Sequence, residues 1–176
     1  GPSIFPVTSL ALRVQYKASE TTSVRLAVLD GVPGDPANPK RTAIKLGNGD
    51  GALLVGELDQ KLGNWRLIAG YWRYTAPFDT FDAPMPQRGA QGAYLRGEGL
   101  IAGQADGRGL DAFFRLGWAD GRFHEVERFA SAGLRWREPV IGRSNDQAGI
   151  AVIWSGSSAR ARRASVSVRG RRPGAP

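Results

Sequence analysis

The chain has 176 residues, the size of one domain or part of a larger one. It has no cysteine and one histidine, which excludes disulfides and both Cys-ligated and multi-His metal sites. The formal net charge is +8. However, six arginines and no acid lie from Arg160 onward, so the body is only mildly basic and a nucleic-acid footprint over the whole chain is not expected.

With 24 glycines and 11 prolines the chain reads as strands and turns rather than a helical bundle. Leu10–Tyr16 alternates Leu, Leu, Val and Tyr against Ala, Arg and Gln, the period-2 pattern of a strand. Ser23–Asp30 is the second strand. Gly31–Asp50 opens with three prolines and two glycines in nine residues and is read as an irregular loop. Gly51–Asp59 is the third strand and Trp65–Thr75 the fourth. Ala76–Gln91 is a second long loop. Gly92–Ile101, Leu110–Ala119, Ser131–Arg137 and Gly149–Trp154 complete the set, with Asp120–Ala130 read as a connection.

Connections tend to alternate short and long, as an antiparallel outer-membrane barrel requires. No apolar run approaches the roughly 18–20 residues of a spanning helix, but a spanning strand needs only about 9–11. Gly1–Pro6 lacks a basic segment followed by an apolar core, so no signal peptide is expected at this start. Residues 155–176 are Ser, Arg, Ala, Gly and Pro with almost no large apolar side chain. They are read as a disordered Arg-rich tail, the end of a truncated or frame-shifted chain, behind a β-domain at residues 7–154.

Within the fourth strand Ile68, Gly70, Trp72 and Tyr74 share one face, and Leu67, Ala69, Tyr71 and Arg73 the other. In a soluble sandwich the apolar faces pack together; in a membrane barrel they meet lipid while the polar faces line a lumen. Alternation alone leaves both open. Two details favour the barrel. Aromatic residues sit near strand ends, and the polar faces repeatedly carry Arg, whose planar donors suit a close-packed lumen offering hydrogen bonds to carboxylates and sugar hydroxyls. The expected lumen residues are Arg13, Arg25, Glu57, Arg73, Arg96, Glu98, Arg115 and Arg135. Mid-strand Arg73, Arg96, Glu98 and Arg115 are the candidates for a constriction. The expected lipid-facing aromatics are Trp72, Tyr74, Phe114, Trp118 and Trp136.

The runs LDGVPGDPANP (29–39), GDGALLVGEL (49–58), AGYWRYTAPFD (69–79), GAYLRGEGLI (92–101), FFRLGWADG (113–121) and AGLRWREPVIGRSNDQAGIAV (132–152) resemble the carbohydrate-selective porin family of OprB type. The resemblance covers roughly Val7–Val152. It implies an all-β antiparallel transmembrane barrel of sixteen strands, of which this chain resembles about eight from the C-terminal half. It also implies the outer membrane of a Gram-negative bacterium, passive diffusion of monosaccharides such as glucose, and lipid as a partner. Porins of this size often form trimers, so a homotrimer is an expectation of the same kind. No cofactor, metal, nucleic acid or catalysis is expected. Half a barrel leaves two unpaired edges, which lipid does not tolerate, so eight strands alone are not expected to make a stable pore.

The rival is a soluble β-sandwich that binds carbohydrate or serves as a structural module. A nucleic-acid-binding reading rests on the Arg-rich tail alone. His124 is read as a solvated loop residue, GNGDG (47–51) as a turn, and Asp79 with Asp82 as a weak candidate for a glycosidase pair.

Overall fold

The computed structural model describes residues 10–32, 51–104, 107–140, 143 and 145–170. In chain order its elements are β1 (Ala11–Lys17), β2 (Thr22–Asp30), β3 (Ala52–Leu62), β4 (Trp65–Tyr74), β5 (Pro77–Phe78), β6 (Gln87–Arg88), β7 (Gln91–Gly103), β8 (Gly109–Ala119), β9 (Val126–Arg137), β10 (Gln147–Ser157) and α1 (Ala159–Gly170). Eight strands form one sheet in the order β1-β2-β3-β4-β7-β8-β9-β10, every pair antiparallel. β5 and β6 make a small separate hairpin. This meander is the all-β architecture that the sequence predicts. Each strand pairs with its neighbour in the large sheet, which is the least costly topology in loop-closure entropy.

The β3/β4 hairpin shows how local sequence sets the register. Leu62 pairs with Trp65, leaving only Gly63 and Asn64 in the loop, and Gly63 takes φ 57°. A two-residue turn needs positive φ at that position to match the strand twist, and glycine supplies it without a Cβ clash. The other rim carries the long connections. Thr75 closes the base of one of them: its Oγ1 accepts a 2.8 Å bond from the Ala52 amide, and its own amide donates to the Ala52 carbonyl at 2.9 Å.

Register assigns every strand residue to a face, because directly paired residues point the same way. One row runs Gln15, Arg25, Glu57, Gly70, Tyr94, Gly117, Phe129, Ser155. The adjacent row on the opposite face runs Tyr16, Val24, Leu58, Ala69, Leu95, Leu116, Ala130, Trp154. The first face is charged and the second apolar. The apolar face is not covered: Leu12 is 68% exposed, Leu26 58%, Leu116 48% and Val152 71%. Among the described residues the fully buried apolar side chains are only Ile68, Ala76, Ala90 and Ala161. A soluble sandwich would bury this face against a second sheet. Here the sheet shows an apolar surface across all eight strands, far beyond the patches typical of soluble monomers.

Two expectations are corrected. β9 starts at Val126, so half of the expected Asp120–Ala130 connection is strand. Glu127 and Arg128 interrupt the apolar alternation there, and the partner strand overrides the local pattern. The tail expected to be disordered from residue 155 instead continues β10 to Ser157 and then forms α1. Ser158 caps that helix: its Oγ accepts from the Arg160 amide at 3.2 Å, and Ala and Arg are strong helix formers. Residues 171–176 and most of the 31–50 loop, including most of the GNGDG turn, lie outside the described residues.

Candidate functional site

The charged face carries Arg13, Lys17, Arg25, Lys61, Arg66, Arg96, Arg115, Arg135 and Arg137, together with Glu57, Asp59, Glu98 and Asp111. Its acids are not scattered. Asp59, with a side chain 5% exposed, accepts from Arg66 Nε at 2.9 Å and from both Arg66 Nη2 and Arg25 Nη2. Arg25 also reaches Glu57 at 3.3 Å. Asp111 receives Arg135 at 2.9 Å and Arg137 at 3.0 Å. These are charge-assisted, largely fork-shaped contacts, which fix side chains in place more than they add stability.

Glycine and aromatic side chains complete this wall. Glu57, Gly70 and Tyr94 lie in one row on three neighbouring strands. The Tyr94 ring packs across Gly70, where a Cβ would clash with Tyr94 Cζ, and its hydroxyl donates to Glu57. Trp72 lies over Gly92 and Phe113 over Gly133 in the same way. Aromatic rings therefore cover glycine gaps in this wall.

Between the two ion-pair clusters, Arg96 and Arg115 stand directly opposite each other on β7 and β8. Neither forms an ion pair among the described residues, and Arg115 rests 5.7 Å from the Phe113 ring centre. A pocket of about 580 Å³ beside them is lined by Arg66, Glu98, Phe113, Arg115, Arg135 and Arg137, among others.

At the long-loop rim of the charged face an aromatic chain runs Phe78–Tyr74 (5.1 Å), Tyr74–Trp72 (5.9 Å) and Trp72–His124 (5.3 Å), each in an edge-to-face arrangement. Asp120 is held by Arg122 at 2.7 Å, and this guanidinium keeps its carboxyl below the usual range. Burial pushes the His124 pKa down from 6.5, with Asp120 pulling weakly the other way. The Nε2 of His124 is buried without a hydrogen-bond partner among the described residues, so the expectation of a solvated histidine is corrected. Helix α1 docks on this rim: Ser158 Oγ donates to the Gly121 carbonyl at 2.6 Å, and Arg160 pairs with Asp82 at 2.6 Å. Asp82 is thus taken up by a structural ion pair.

Of the residues expected on a polar lumen face, Arg13, Arg25, Glu57, Arg96, Glu98, Arg115 and Arg135 share the charged face. Arg73 does not: it pairs with Leu54 and Gln91 on the apolar face, at the end of β4. Trp72 and Tyr74, expected toward lipid, lie instead on the charged face. For Trp72 the side is set by Gly92 directly opposite, which leaves room for the indole, and Tyr74 follows by parity. Phe114, Trp118 and Trp136 lie on the apolar face. Tyr71 and Trp65, not singled out by sequence, join them there near the two ends of β4. Asp59, Arg66, Tyr94 and Arg137 were also missed. Asp59 and Arg66 were legible from the hairpin, since a two-residue turn places them almost opposite each other.

Residues 1–172 match the family model of the carbohydrate-selective porin, OprB family. No curated protein compared matches the chain. The solved structure of OprB from Pseudomonas putida at high pH superimposes with a TM-score of 0.75 at 19% identity, covering 93% of this chain and 44% of that one. That likeness carries the fold, and the chain spans less than half the length of that porin. With nearly its whole length matched, the chain belongs to the OprB family of carbohydrate-selective porins, channel proteins of the Gram-negative outer membrane.

Proposed function

We propose that this sheet is about half the wall of an outer-membrane barrel, its apolar face in lipid and its charged face lining a lumen through which monosaccharides diffuse without chemistry. The observation that carries the reading is the separation of faces: exposed Leu, Val, Ile, Trp and Tyr on one side of the eight strands, and Arg paired with carboxylates on the other side of β2, β3, β4, β8 and β9. On the apolar face Trp65 and Trp136 lie near the tight-turn rim, and Tyr71 and Trp118 near the long-loop rim. They supply aromatic residues for both lipid–water interfaces.

The corrected lumen set is Arg13, Arg25, Glu57, Arg96, Glu98, Arg115 and Arg135 with Asp59, Arg66, Tyr94, Phe113 and Arg137. Sugar hydroxyls would exchange water for these donors and acceptors. Each contact is weak enough to release the sugar, as conduction requires. Edges at β1 and β10, which have no second neighbour among the described strands, accept the strands that close the barrel. A homotrimer is proposed on family grounds alone.

Sugar-driven swelling of liposomes holding the chain together with its closing strands tests the reading. Glucose is expected to permeate and a trisaccharide to be excluded. Equal exclusion of both, with the protein inserted, would contradict a sugar-conducting lumen.

A further inference from the structure

We infer that the Arg96–Arg115 pair is a recognition site for the carboxylate of an acidic sugar, a hexuronate, resting on the assignment of the charged face to the lumen. Basic side chains on that face outnumber acidic ones. Three of the acids are already occupied: Glu57 and Asp59 by Arg25 and Arg66, Asp111 by Arg135 and Arg137. Arg96 and Arg115 are direct cross-strand partners, and neither forms a contact ion pair with a carboxylate among the described residues.

Like charges directly opposite each other on a sheet are destabilising. Here the doublet sits mid-strand, exposed, and flanked by arginines that are neutralised. A carboxylate between the two guanidiniums removes that repulsion and gains forked, charge-assisted hydrogen bonds. The surroundings fit the rest of a sugar. Phe113, in contact with Arg115, gives an apolar surface for the C–H face of a pyranose ring. Glu98, two residues from Arg96 and directly opposite Phe113, offers an acceptor for hydroxyls. Arg66, Arg96, Glu98, Phe113 and Arg115 line a cleft of about 20 Å³, room for a carboxylate oxygen only, and all of them but Arg96 also line the adjoining pocket of about 580 Å³.

The experiment compares glucuronate with glucose, titrated against the chain refolded together with its closing strands in lipid vesicles and followed by saturation-transfer NMR. Glucuronate is expected to bind about tenfold more tightly, an increment of about 1.4 kcal/mol that one charge-assisted contact supplies. In Arg96→Gln and in Arg115→Gln the glucuronate-to-glucose ratio is expected to fall toward one. Arg115→Lys, which keeps the charge but not the fork, should give an intermediate ratio. Lys17→Gln removes a charge at the rim and should leave the ratio unchanged. Equal binding of the two sugars by the unsubstituted chain would overturn the inference. So would a preference that survives both Gln substitutions, or one that falls equally in Lys17→Gln. Bromolipid quenching on the same vesicles separates the two failures. Quenching of Trp118 with Trp72 spared keeps the face assignment and puts the failure on the doublet, whereas quenching of Trp72 removes the assignment and the inference with it.

Discussion

The two faces of one sheet differ in what holds their side chains. On the charged face, position is set by directional bonds: Asp59 ties β2 to β4, Glu57 ties β2 to β7 through Tyr94, and Asp111 takes two arginines from β9. On the apolar face most large side chains remain exposed and make no comparable network. Its energetics lie in the medium. In water this face is a liability; in hydrocarbon it gains roughly 25 cal/mol for each Å² removed from water. The lesson is that burial within the chain and stability in the membrane are separate quantities in such a sheet. The side chains exposed here are the ones on which insertion depends.

The comparison breaks most sharply at Leu116, mid-strand on β8. Leu116→Arg is expected to destabilise the inserted protein by about 2–4 kcal/mol, the figure for Arg near the bilayer midplane, whereas Arg115→Leu one residue away changes stability little. Urea unfolding from vesicles measures both; equal effects would mean that the faces do not differ in medium.

Next comes Asp59→Ala. It removes the acceptor shared by Arg25 and Arg66 and should cost about 1–3 kcal/mol, below the range for breaking a fully buried pair because Arg66 is half exposed. Gly70→Ala displaces the Tyr94 ring from its seat and is expected to cost about 1–2 kcal/mol by overpacking. In a Tyr94→Ala background the same change should be nearly neutral. A double-mutant cycle measures that coupling, and simple additivity would contradict the ring-over-glycine contact.

The smallest effect belongs to the rim. Burial holds the folded pKa of His124 below its unfolded value near 6.5, so the unfolded chain binds more protons below that value. Stability from the buried neutral ring is therefore present above about pH 6.5 and lost as pH falls. Hydrogen exchange at Phe123 and His124, whose amides donate to Asp120, should quicken below that pH more than exchange in β7. His124→Phe should abolish the difference.

The strand order, the hairpins and most of the charged face were legible in the sequence, because period-2 alternation and short turns fix both register and side. Arg25, Glu57, Arg96, Glu98, Arg115 and Arg135 needed nothing more. Trp72 and Tyr74 misled because a ring is assigned to the apolar face by default. What decides the side of Trp72 is the glycine opposite, Gly92, and that depends on cross-strand register, which no single strand contains. Arg73 went wrong with them, by parity. Helix α1 was missed because Ser158, its cap, is buried by contacts with Gly121 and Glu125, far away in sequence. Asp111 was not singled out as a lumen residue in the sequence, because its partners Arg135 and Arg137 come from β9.

The central claim is that the apolar face meets lipid and the charged face does not. Five single-tryptophan variants, each keeping one of Trp65, Trp72, Trp118, Trp136 and Trp154, test it directly by fluorescence quenching in brominated-lipid vesicles. The account predicts strong quenching of Trp118, Trp136, Trp154 and Trp65, with Trp72 spared on the charged face. Quenching of Trp72 with Trp118 and Trp136 spared, or no quenching in any variant, would contradict it.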